Sequence, residues 1–312
     1  MTRTALIIDC DPGVDDAIAL FLAFASPDDL ELIAITTVAG NVGAPLTARN
    51  ARIIRQIAGR EDVPVYVGAQ VPLVRAPIIA SHFHGDSGLG DLAVFAPVAP
   101  DAAGHAVTAI IEAVMTRPPG AVSIAVTGPM TNLALALRLE PAIAHRLGTV
   151  VVMGGARTEG GNITASAEYN IYADPHAAQV VFASGCKVVT LGLDATHQVR
   201  ATPKRVAAVR AIDTPAARAT YDLLKFSEGV QRRFAGALAP PMHDPCTIAW
   251  LLAPDLFTTR PVDLRVEVAA DLTMGHTAVE FRLADPAAAS VHWVTQVNAG
   301  AVFDLMLERL AR

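Results

Sequence analysis

The 312-residue sequence has few charged and few aromatic side chains, 17% and 5% of the total, and few cysteines. Cys10, Cys186 and Cys246 are odd in number and widely spaced, which argues against a disulfide framework and suits a reducing compartment such as the cytoplasm. The chain has no basic run, and its net charge of −6 and pI near 5.8 argue against a nucleic acid partner.

Long hydrophobic runs are also missing, although 52% of the residues are hydrophobic and the mean hydropathy is +0.40. The longest apolar stretches, such as residues 17–26, are too short to cross a bilayer, so we expect no membrane partner. The first residues lead directly into a predicted strand, without the pattern of a signal peptide. Abundant alanine and valine are typical of a parallel sheet covered by helices, and we expect one domain spanning residues 1–312.

The most informative stretch of the sequence is residues 5–20, ALIIDCDPGVDDAIAL. Residues 5–8 are aliphatic and partly β-branched, which predicts a strand buried on both faces. Pro12 and Gly13 predict a sharp turn at the end of that strand. Asp15 and Asp16 would then begin a helix, where acidic side chains interact favourably with the helix dipole.

Asp9, Asp11, Asp15 and Asp16 place four carboxylates within eight residues. Their mutual repulsion at the mouth of a buried strand predicts a bound cation, and oxygen ligands favour Ca²⁺ or Mg²⁺ over zinc. The alternative is that some of them only cap the helix or form the turn. Asp9 is the best candidate for a structural role, since strand alternation points it away from Cys10 and towards backbone amides.

Two other motifs fit this stretch less well. An EF-hand loop needs an oxygen ligand at its fifth position, where Gly13 stands. A phosphatase pattern built on Asp9 and Asp11 fits better, but it fails at Pro12 and Gly13 and gives no place to the paired aspartates that follow.

Polar residues also follow other predicted strands, at residues 30–38, 63–67, 121–126, 150–153 and 187–191. Asn41 and Thr127 come after two of them. This pattern predicts an open, mostly parallel, twisted sheet flanked by helices, with a ligand site outside the carboxyl ends of the strands. Residues 262–294 add alternating strands and residues 302–310 a closing helix, whereas a glycine-rich dinucleotide fingerprint is missing after the first strand, which disfavours NAD binding.

Three further polar segments are candidates for the site, at residues 81–90, 159–170 and 241–252. The first two read as loops, in which the side chains are either free or functional. In the third, Asp244 precedes Pro245, a favoured first helical residue, so its carboxylate either caps that helix or serves the site. Cys246 lies on a packing face, and we interpret Asp194 and His197 as structural residues between a strand and the helical segment 203–228.

The run DCDPGVDDAIAL closely resembles the N-terminal signature of the inosine-uridine-preferring nucleoside hydrolases. These enzymes cleave the N-glycosidic bond of ribonucleosides with a tightly bound Ca²⁺. Residues 159–170 resemble the family's ribose-binding loop, with Tyr169 where the family often has phenylalanine, and residues 243–245 match its HDP motif. The resemblance runs from residue 5 to about residue 283 and implies the nucleoside hydrolase fold.

The resemblance implies a role for each matching position. Calcium would be held by Asp11, Asp16, Asp244 and the backbone carbonyl of Thr127. The catalytic residues would be Asp11 as general base, Asn41 orienting the water and the sugar, and His243 as proton donor to the leaving base, with His84 as a possible second donor. The implied substrate-binding residues are Asp15, Asn41, His84, Met153, Asn162, Glu168 and Asn170.

The choice of base is predicted from residues 222–257. Some base-nonspecific members have a tyrosine on the helix before the HDP motif, where this chain has Gly229 and Phe234, with Tyr221 farther away. Residues 243–257, HDPCTIAWLLAPDLF, look most like the pyrimidine-specific members, which act on uridine and cytidine. Segments 81–90 and 222–240 are candidates to close over the substrate.

The leading hypothesis is therefore a cytoplasmic, Ca²⁺-dependent pyrimidine ribonucleoside hydrolase of nucleoside salvage. By analogy with the family it would be a homodimer or homotetramer. The alternatives are a base-nonspecific inosine-uridine hydrolase, a nucleoside-binding protein without turnover, and a Mg²⁺-dependent phosphatase built on Asp9 and Asp11.

Overall fold

A computed structural model describes residues 3–236 and 239–312 of the chain. Its strands are β1 (Thr4–Cys10), β2 (Leu30–Thr37), β3 (Val65–Val67), β4 (Val122–Val126), β5 (Val150–Met153), β6 (Val188–Leu191), β7 (Phe257–Val266), β8 (Thr277–Glu280) and β9 (Val291–Val297). Its α-helices are α1 (Val14–Phe24), α2 (Ala44–Ile57), α3 (Ser81–His84), α4 (Ala106–Met115), α5 (Thr131–Leu139), α6 (Tyr169–Ala173), α7 (Pro175–Phe182), α8 (Leu193–Thr196), α9 (Pro203–Arg210), α10 (Pro215–Ala235), α11 (Pro245–Leu252) and α12 (Ala299–Leu310).

The described strands form one sheet in the order β3-β2-β1-β4-β5-β6-β9-β7-β8. The pairs from β3 to β9 are parallel, whereas β7 pairs antiparallel with both β9 and β8. The predicted open, mostly parallel sheet flanked by helices is confirmed. Strand order reverses between β1 and β4, and this is the point where open α/β sheets bind ligands.

The core has two layers because the central strands are buried on both faces. Along β1, Leu6 and Ile8 pack in the cluster that holds α1, α10, α11 and α12, while Ala5 and Ile7 pack in the cluster that holds α4, α5 and α7. All four side chains are buried. A continuous apolar run of this kind is therefore explained by burial on both sides of a parallel strand.

Proline and threonine mark where several helices begin. Thr202 and Thr214 each accept a hydrogen bond from a backbone N–H of the first turn, and a proline follows each at the first helical position. Two helices, α9 and α10, thus replace the single predicted segment 203–228. The end of the predicted closing segment 222–240 includes residues 237 and 238, which lie outside the described residues.

The two polar segments predicted as loops contain short helices. Residues 81–90 begin with the single turn of α3, and α6 begins at the end of segment 159–170. Helices of four or five residues are too short to show the 3.6-residue apolar period, so the sequence pattern could not reveal them. In the described part of the chain, no helix is both long enough and apolar enough to cross a membrane.

Candidate active site

The polar residues meet where the strand order reverses. Asp11 follows the last residue of β1 and Thr127 follows the last residue of β4, and the register pairs Asp9 with Val126 across these two strands. Thr127 N–H donates to the Asp9 carbonyl at 2.9 Å, which extends the parallel ladder by one bond. The sheet itself therefore brings together the first carboxylate segment and the loop after β4.

Asp11 is fully buried and only half of its carboxylate has a protein partner. The Asn41 N–H donates to Oδ2 at 2.7 Å, whereas Oδ1 has no hydrogen-bond partner among the described residues. Gly40 and Gly128 pack directly against the carboxylate: a Cβ atom on Gly40 would overlap Oδ2, and one on Gly128 would lie 2.5 Å from Oδ1. The missing side chains of these glycines leave room for Asp11.

Asp16, also fully buried, accepts several hydrogen bonds. Its Oδ2 accepts from Gly13 N–H and from Asn41 Nδ2, both at 3.0 Å, and its Oδ1 accepts from Thr127 Oγ1 at 2.8 Å. The bond from Gly13 is half of a capping box for α1, so the structural interpretation of Asp16 is correct in part. Asn41 bridges the two aspartates, since its backbone serves Asp11 and its side chain serves Asp16.

Asp244 reaches the same place from the other end of the chain. It precedes Pro245 at the start of α11 but makes no capping hydrogen bond, so the capping interpretation does not account for its carboxylate. One carboxylate oxygen each of Asp15, Asp16 and Asp244 lie within 4.8 Å of one another, a spacing that could hold a metal ion. The structure thus groups Asp15 with the predicted metal ligands Asp16 and Asp244. Asn41 connects Asp11 to Asp16, because its backbone N–H donates to Asp11 and its side-chain amide donates to Asp16.

Electrostatics in this cluster disfavour several negative charges without a cation. Burial and the neighbouring carboxylates raise the pKa of Asp11 and of Asp244 well above their usual range and raise the pKa of Asp16 to about 7. Within the described chain, no lysine or arginine pairs with any of these carboxylates. An oxygen-only donor set with an unpartnered oxygen on Asp11 fits a hard divalent cation.

Asp9 lies in a different environment from the other aspartates of the motif. Its Oδ1 accepts from Thr36 Oγ1 at 2.7 Å and from Asn132 Nδ2 at 2.8 Å, and burial raises its pKa to about 6. These contacts tie β1 to β2 and α5, as expected of a structural residue. The donors are side chains, however, and not the backbone amides that strand alternation suggested.

Residues 162–170 form a second polar wall. Glu168 is buried, caps α6 by accepting from the N–H groups of Asn170 and Ile171, and accepts from Gly155 N–H at 3.1 Å; burial raises its pKa to about 7. Asn170 Nδ2 donates to the carbonyls of Thr127 and Met153 at 2.7 and 3.2 Å. The amide of Asn170 therefore connects this wall to the carboxylate cluster.

Tyr169 joins three segments around the site. Its backbone N–H donates to Asn162 Oδ1 at 2.8 Å. Its hydroxyl lies 2.9 Å from the Gly40 carbonyl and 3.3 Å from the Ile78 carbonyl, both within hydrogen-bonding reach. Tyr169 was predicted only as a replacement for phenylalanine, and these two contacts of its hydroxyl were not.

Two histidines also line the cavity near the carboxylates. His84 Nδ1 accepts from the Val14 N–H at 3.1 Å, and His243 Nδ1 lies 2.9 Å from Thr196 Oγ1. Burial lowers the pKa of both rings, that of His243 to about 4. His82, for which the sequence left an idle and a functional role equally open, is exposed, and its ring lies tilted against Phe83 and edge-on to Phe234.

These walls enclose a cavity of about 530 Å³. Each of the predicted substrate-binding residues lines it, together with His243, Asp244 and Thr127, whereas Asp11 and Asp16 lie beneath its surface. Residues to which the sequence gave no role in the site also line it, and among these are Val14, Ala80, Phe83, Gly161, Ile163, Tyr169, Arg200, Ser227, Val230, Gln231, Phe234, Pro240 and Pro241. Four of them are on α10, within the segment 222–240 that was predicted to close over the substrate but in which no residue was assigned to contact it.

Asp194 and His197 have different surroundings although they are three residues apart. The Asp194 carboxylate accepts from the N–H groups of Arg157 and Thr158 at 2.8 Å, which supports its structural interpretation. His197 Nδ1 pairs with Glu159 Oε2 at 2.9 Å, and its ring centre lies 5.7 Å from that of His243 on the cavity wall. His197 is thus part of the site's surface.

Comparison with known proteins assigns the chain to a family. The model of the inosine-uridine preferring nucleoside hydrolase family matches residues 6–304. The chain belongs to this family. The predicted resemblance is confirmed, and with it the class of enzyme, a hydrolase of the N-glycosidic bond of ribonucleosides.

Relatives that are named for different base preferences match this chain at nearly equal sequence identity. The chain is 39% identical to an inosine-uridine preferring nucleoside hydrolase of Crithidia fasciculata over 98% of this chain and 97% of that one. It is 41% identical to a pyrimidine-specific ribonucleoside hydrolase of Photobacterium profundum over 98% of each. The structure of a purine-preferring ribonucleoside hydrolase from Gardnerella vaginalis superposes with a TM-score of 0.92 at 33% identity, over 98% of each chain.

Proposed function

We propose that this nucleoside hydrolase requires Ca²⁺ and prefers the pyrimidine ribonucleosides uridine and cytidine. The observation that carries the metal requirement is the cluster of buried carboxylates without a cationic partner in the described chain, at the floor of a 530 Å³ cavity. The cavity walls offer amide, carboxylate and imidazole groups, which match the hydroxyl groups of a ribose and the polar edge of a base.

The proposed metal ligands are Asp11, Asp16, Asp244 and the carbonyl oxygen of Thr127. Bound Ca²⁺ would lower the pKa of a water molecule and hold the vicinal hydroxyls of the ribose. Asp15 belongs to the same carboxylate group by distance, and we assign it to a ribose hydroxyl because it is only partly buried and lines the cavity.

The chain's own groups would then act on the water and the sugar. Asp11 Oδ1, which has no partner in the described chain, accepts the proton of the attacking water, while Asn41 orients that water. The carboxylate and amide oxygens around the sugar stabilise the positive charge of an oxocarbenium-like transition state. Met153, Asn162, Glu168 and Asn170 hold the remaining ribose hydroxyls along the second wall, and His243 and His84 face the base.

The pyrimidine preference rests on the face that α10 turns towards the cavity. This face presents Ser227, Val230, Gln231 and Phe234. Tyr221 does not line the cavity; its ring packs against Arg210, with the guanidinium 5.6 Å from the ring centre. The Gln231 amide carries both a donor and acceptors, which can pair with the carbonyl and ring nitrogen of a pyrimidine edge.

The experiment is a nucleoside panel assayed with and without a calcium chelator. Release of free base from uridine, cytidine, inosine, adenosine and deoxyuridine is followed by chromatography. We expect chelator-sensitive cleavage of uridine and cytidine and little cleavage of deoxyuridine, which lacks one hydroxyl of the diol. Equal cleavage of inosine would favour the base-nonspecific alternative, and full activity in the chelator would contradict the calcium assignment.

We further propose that residues 1–312 act as one domain in a homodimer or homotetramer, in the cytoplasm, in nucleoside salvage. The three cysteines are free and buried, which suits a reducing compartment. Light scattering coupled to size-exclusion chromatography measures the assembly, and a purely monomeric mass would contradict this part of the proposal.

A further inference from the structure

The contact between Thr196 and His243 supports an inference about how the leaving base is stabilised. This inference rests on the proposed hydrolysis. Thr196 is the last residue of α8 and is fully buried. Its hydroxyl lies 2.9 Å from His243 Nδ1, and within the described chain this is the only hydrogen-bond partner of that hydroxyl. The backbone N–H of Thr196 donates to Gly192, so it takes no part in the contact.

The direction of this hydrogen bond follows from the need to pair buried donors. If Thr196 Oγ1–H donates to Nδ1, the hydroxyl hydrogen is satisfied and Nδ1 is the acceptor of a neutral ring. If Nδ1–H donated instead, the hydroxyl hydrogen would be left without an acceptor in a fully buried place. The first arrangement is therefore favoured, and it places the ring hydrogen on Nε2.

His243 Nε2 is the ring nitrogen that remains available to a ligand. It has no hydrogen-bond partner among the described residues. It is also not one of the buried side-chain atoms without a partner, so it is not enclosed by the protein. The residue is partly exposed and lines the cavity, so this nitrogen is accessible from the cavity.

We infer that Thr196 is a positioning residue that fixes the Nε2–H tautomer of His243, so that the ring donates a hydrogen bond to the departing base. No proton needs to be transferred in this step. The C–N electron pair leaves with the base, whose negative charge spreads onto its ring carbonyl oxygens, and Nε2–H stabilises that charge where it develops. Thr196 acts through His243 and does not touch the substrate.

The test compares two leaving groups in three proteins. Thr196→Val keeps the shape of the side chain without the hydroxyl, and Thr196→Ser restores the hydroxyl. Uridine needs stabilisation of its departing base, whereas p-nitrophenyl β-D-ribofuranoside releases nitrophenolate, a good leaving group that needs none. We expect Thr196→Val to lower kcat/KM for uridine by about 10- to 100-fold and for the nitrophenyl riboside by less than about 3-fold, with Thr196→Ser close to the wild type.

A merely structural role would lower both activities together, and that result, or no change in either, would overturn the inference. If Thr196→Val does not fold, the tautomer is measured in the wild-type protein by two-bond ¹H–¹⁵N correlations of labelled histidine, assigned by the loss of signals in His243→Gln. A protonated Nε2 with an unprotonated Nδ1 supports the inference, and the opposite tautomer overturns it. If the wild type cleaves neither riboside, the proposed function fails, while the tautomer measurement still tests Thr196.

Discussion

Asp9 and Asp11 are two residues apart and equally buried, and each has one carboxylate oxygen without a partner in the described chain, but their surroundings differ. Two side-chain donors satisfy Oδ1 of Asp9 and tie together strands and a helix. Asp11 receives one backbone N–H on Oδ2, has a bare Oδ1, and is flanked by two glycines. At the scale of single residues, the proposed roles therefore follow from position, since Asn41 connects Asp11 to Asp16 beneath the cavity whereas side chains of β2 and α5 hold Asp9.

Asn substitutions at the two positions separate these roles. We expect Asp11→Asn to lower kcat/KM for uridine by at least about 100-fold, because the amide can neither accept a proton nor bind a hard cation well. It should also abolish the rise in Tm that Ca²⁺ gives the wild type. Asp9→Asn keeps the acceptor oxygen and should stay within about 10-fold in activity. Equal losses in both variants, measured by base release and thermal unfolding, would contradict the distinction.

Gly40 offers a steric test of the same carboxylate. A methyl group at this position would overlap Asp11 Oδ2, so we expect Gly40→Ala to displace Asp11 and weaken Ca²⁺ binding by about 10-fold or more. Gly43, three residues later, is the matched control, because a Cβ atom there would meet only Pro45 Cδ at 3.9 Å. Calorimetric Ca²⁺ titration of both variants measures the effect; wild-type affinity in Gly40→Ala would show that the site tolerates the shift.

The aspartates of the site could be predicted from the sequence because several carboxylates at the end of a buried strand repel one another. This pattern is visible within one short stretch of the chain. Thr196, Gln231 and Gly40 could not be predicted in this way, because each of these residues meets the rest of the site only where segments far apart in sequence come together. The interpretation of His197 as structural stays a prediction: it pairs with Glu159 and also lines the cavity near His243, and both neighbours come from other segments.

At the scale of elements, the site depends on loops that are tied to one another after the strands end. The segment after β2 supplies Asn41, the segment after β5 supplies Glu168, and α6 turns Tyr169 back towards the first of these. The longest helix, α10, was predicted only as part of one segment, 203–228, although it begins at a Thr-Pro pair. The single turns α3, α6 and α8 were missed, although they hold His84, Asn170 and Thr196, because so few residues show no periodicity.

Tyr169→Phe tests how strongly the segments around the site depend on each other. The variant keeps the ring but removes the hydroxyl that lies close to the Gly40 and Ile78 carbonyls. We expect a free energy of unfolding lower by about 1 kcal/mol and a Tm lower by about 2 °C. Because the carboxylate cluster is untouched, kcat should change by less than about 3-fold while KM for uridine rises. A large loss of kcat with unchanged KM would assign the hydroxyl to the chemistry.

Helix α10 provides the test of base preference. Gln231→Leu removes the amide from the cavity wall at similar size, so we expect kcat/KM for uridine to fall by about 10-fold and that for inosine to fall less. Arg232→Gln is the control, since Arg232 is exposed on the same helix and does not line the cavity. Parallel losses for uridine and inosine in Gln231→Leu would show that this side chain does not discriminate between bases.

At the scale of the whole molecule, we expect the carboxylate cluster to make stability depend on pH and on the proposed metal. Asp16 and Glu168 have a pKa raised to about 7, so the folded chain binds protons there that the unfolded chain has already released. The stability that these two protonated side chains contribute is lost as the pH rises through about 7. The two histidines of the cavity act in the opposite sense, since their lowered pKa costs stability as the pH falls below about 6.5.

The expected result is that the metal-free protein gains Tm when the pH is lowered from about 8 to about 6.5. With saturating Ca²⁺ the slope should be shallower, because the cation offsets the repulsion between the carboxylates. Thermal unfolding by circular dichroism, with chelator or with Ca²⁺, measures both curves. A metal-free Tm that rises with pH over this range would contradict the assigned pKa directions.

The overall architecture was predictable for a simple reason: each apolar run followed by polar and turn residues reports one parallel strand and its carboxyl end. The order of the strands was not, since nothing in the local sequence says that β9 lies between β6 and β7. That order is set by packing over the whole sheet. The pairing of β1 with β4, which juxtaposes Asp11 and Thr127, is likewise a property of the assembled sheet.

Both ends of the sheet are short strands, β3 with three residues and β8 with four. An edge this short gives a second chain little backbone to pair with, which is how many proteins prevent aggregation through their edges. Copies of this chain should therefore associate through helices and loops, with side chains making the contacts, and not by extending one sheet into the next. Any assembly would then keep every cavity mouth at the end of its own, separate sheet.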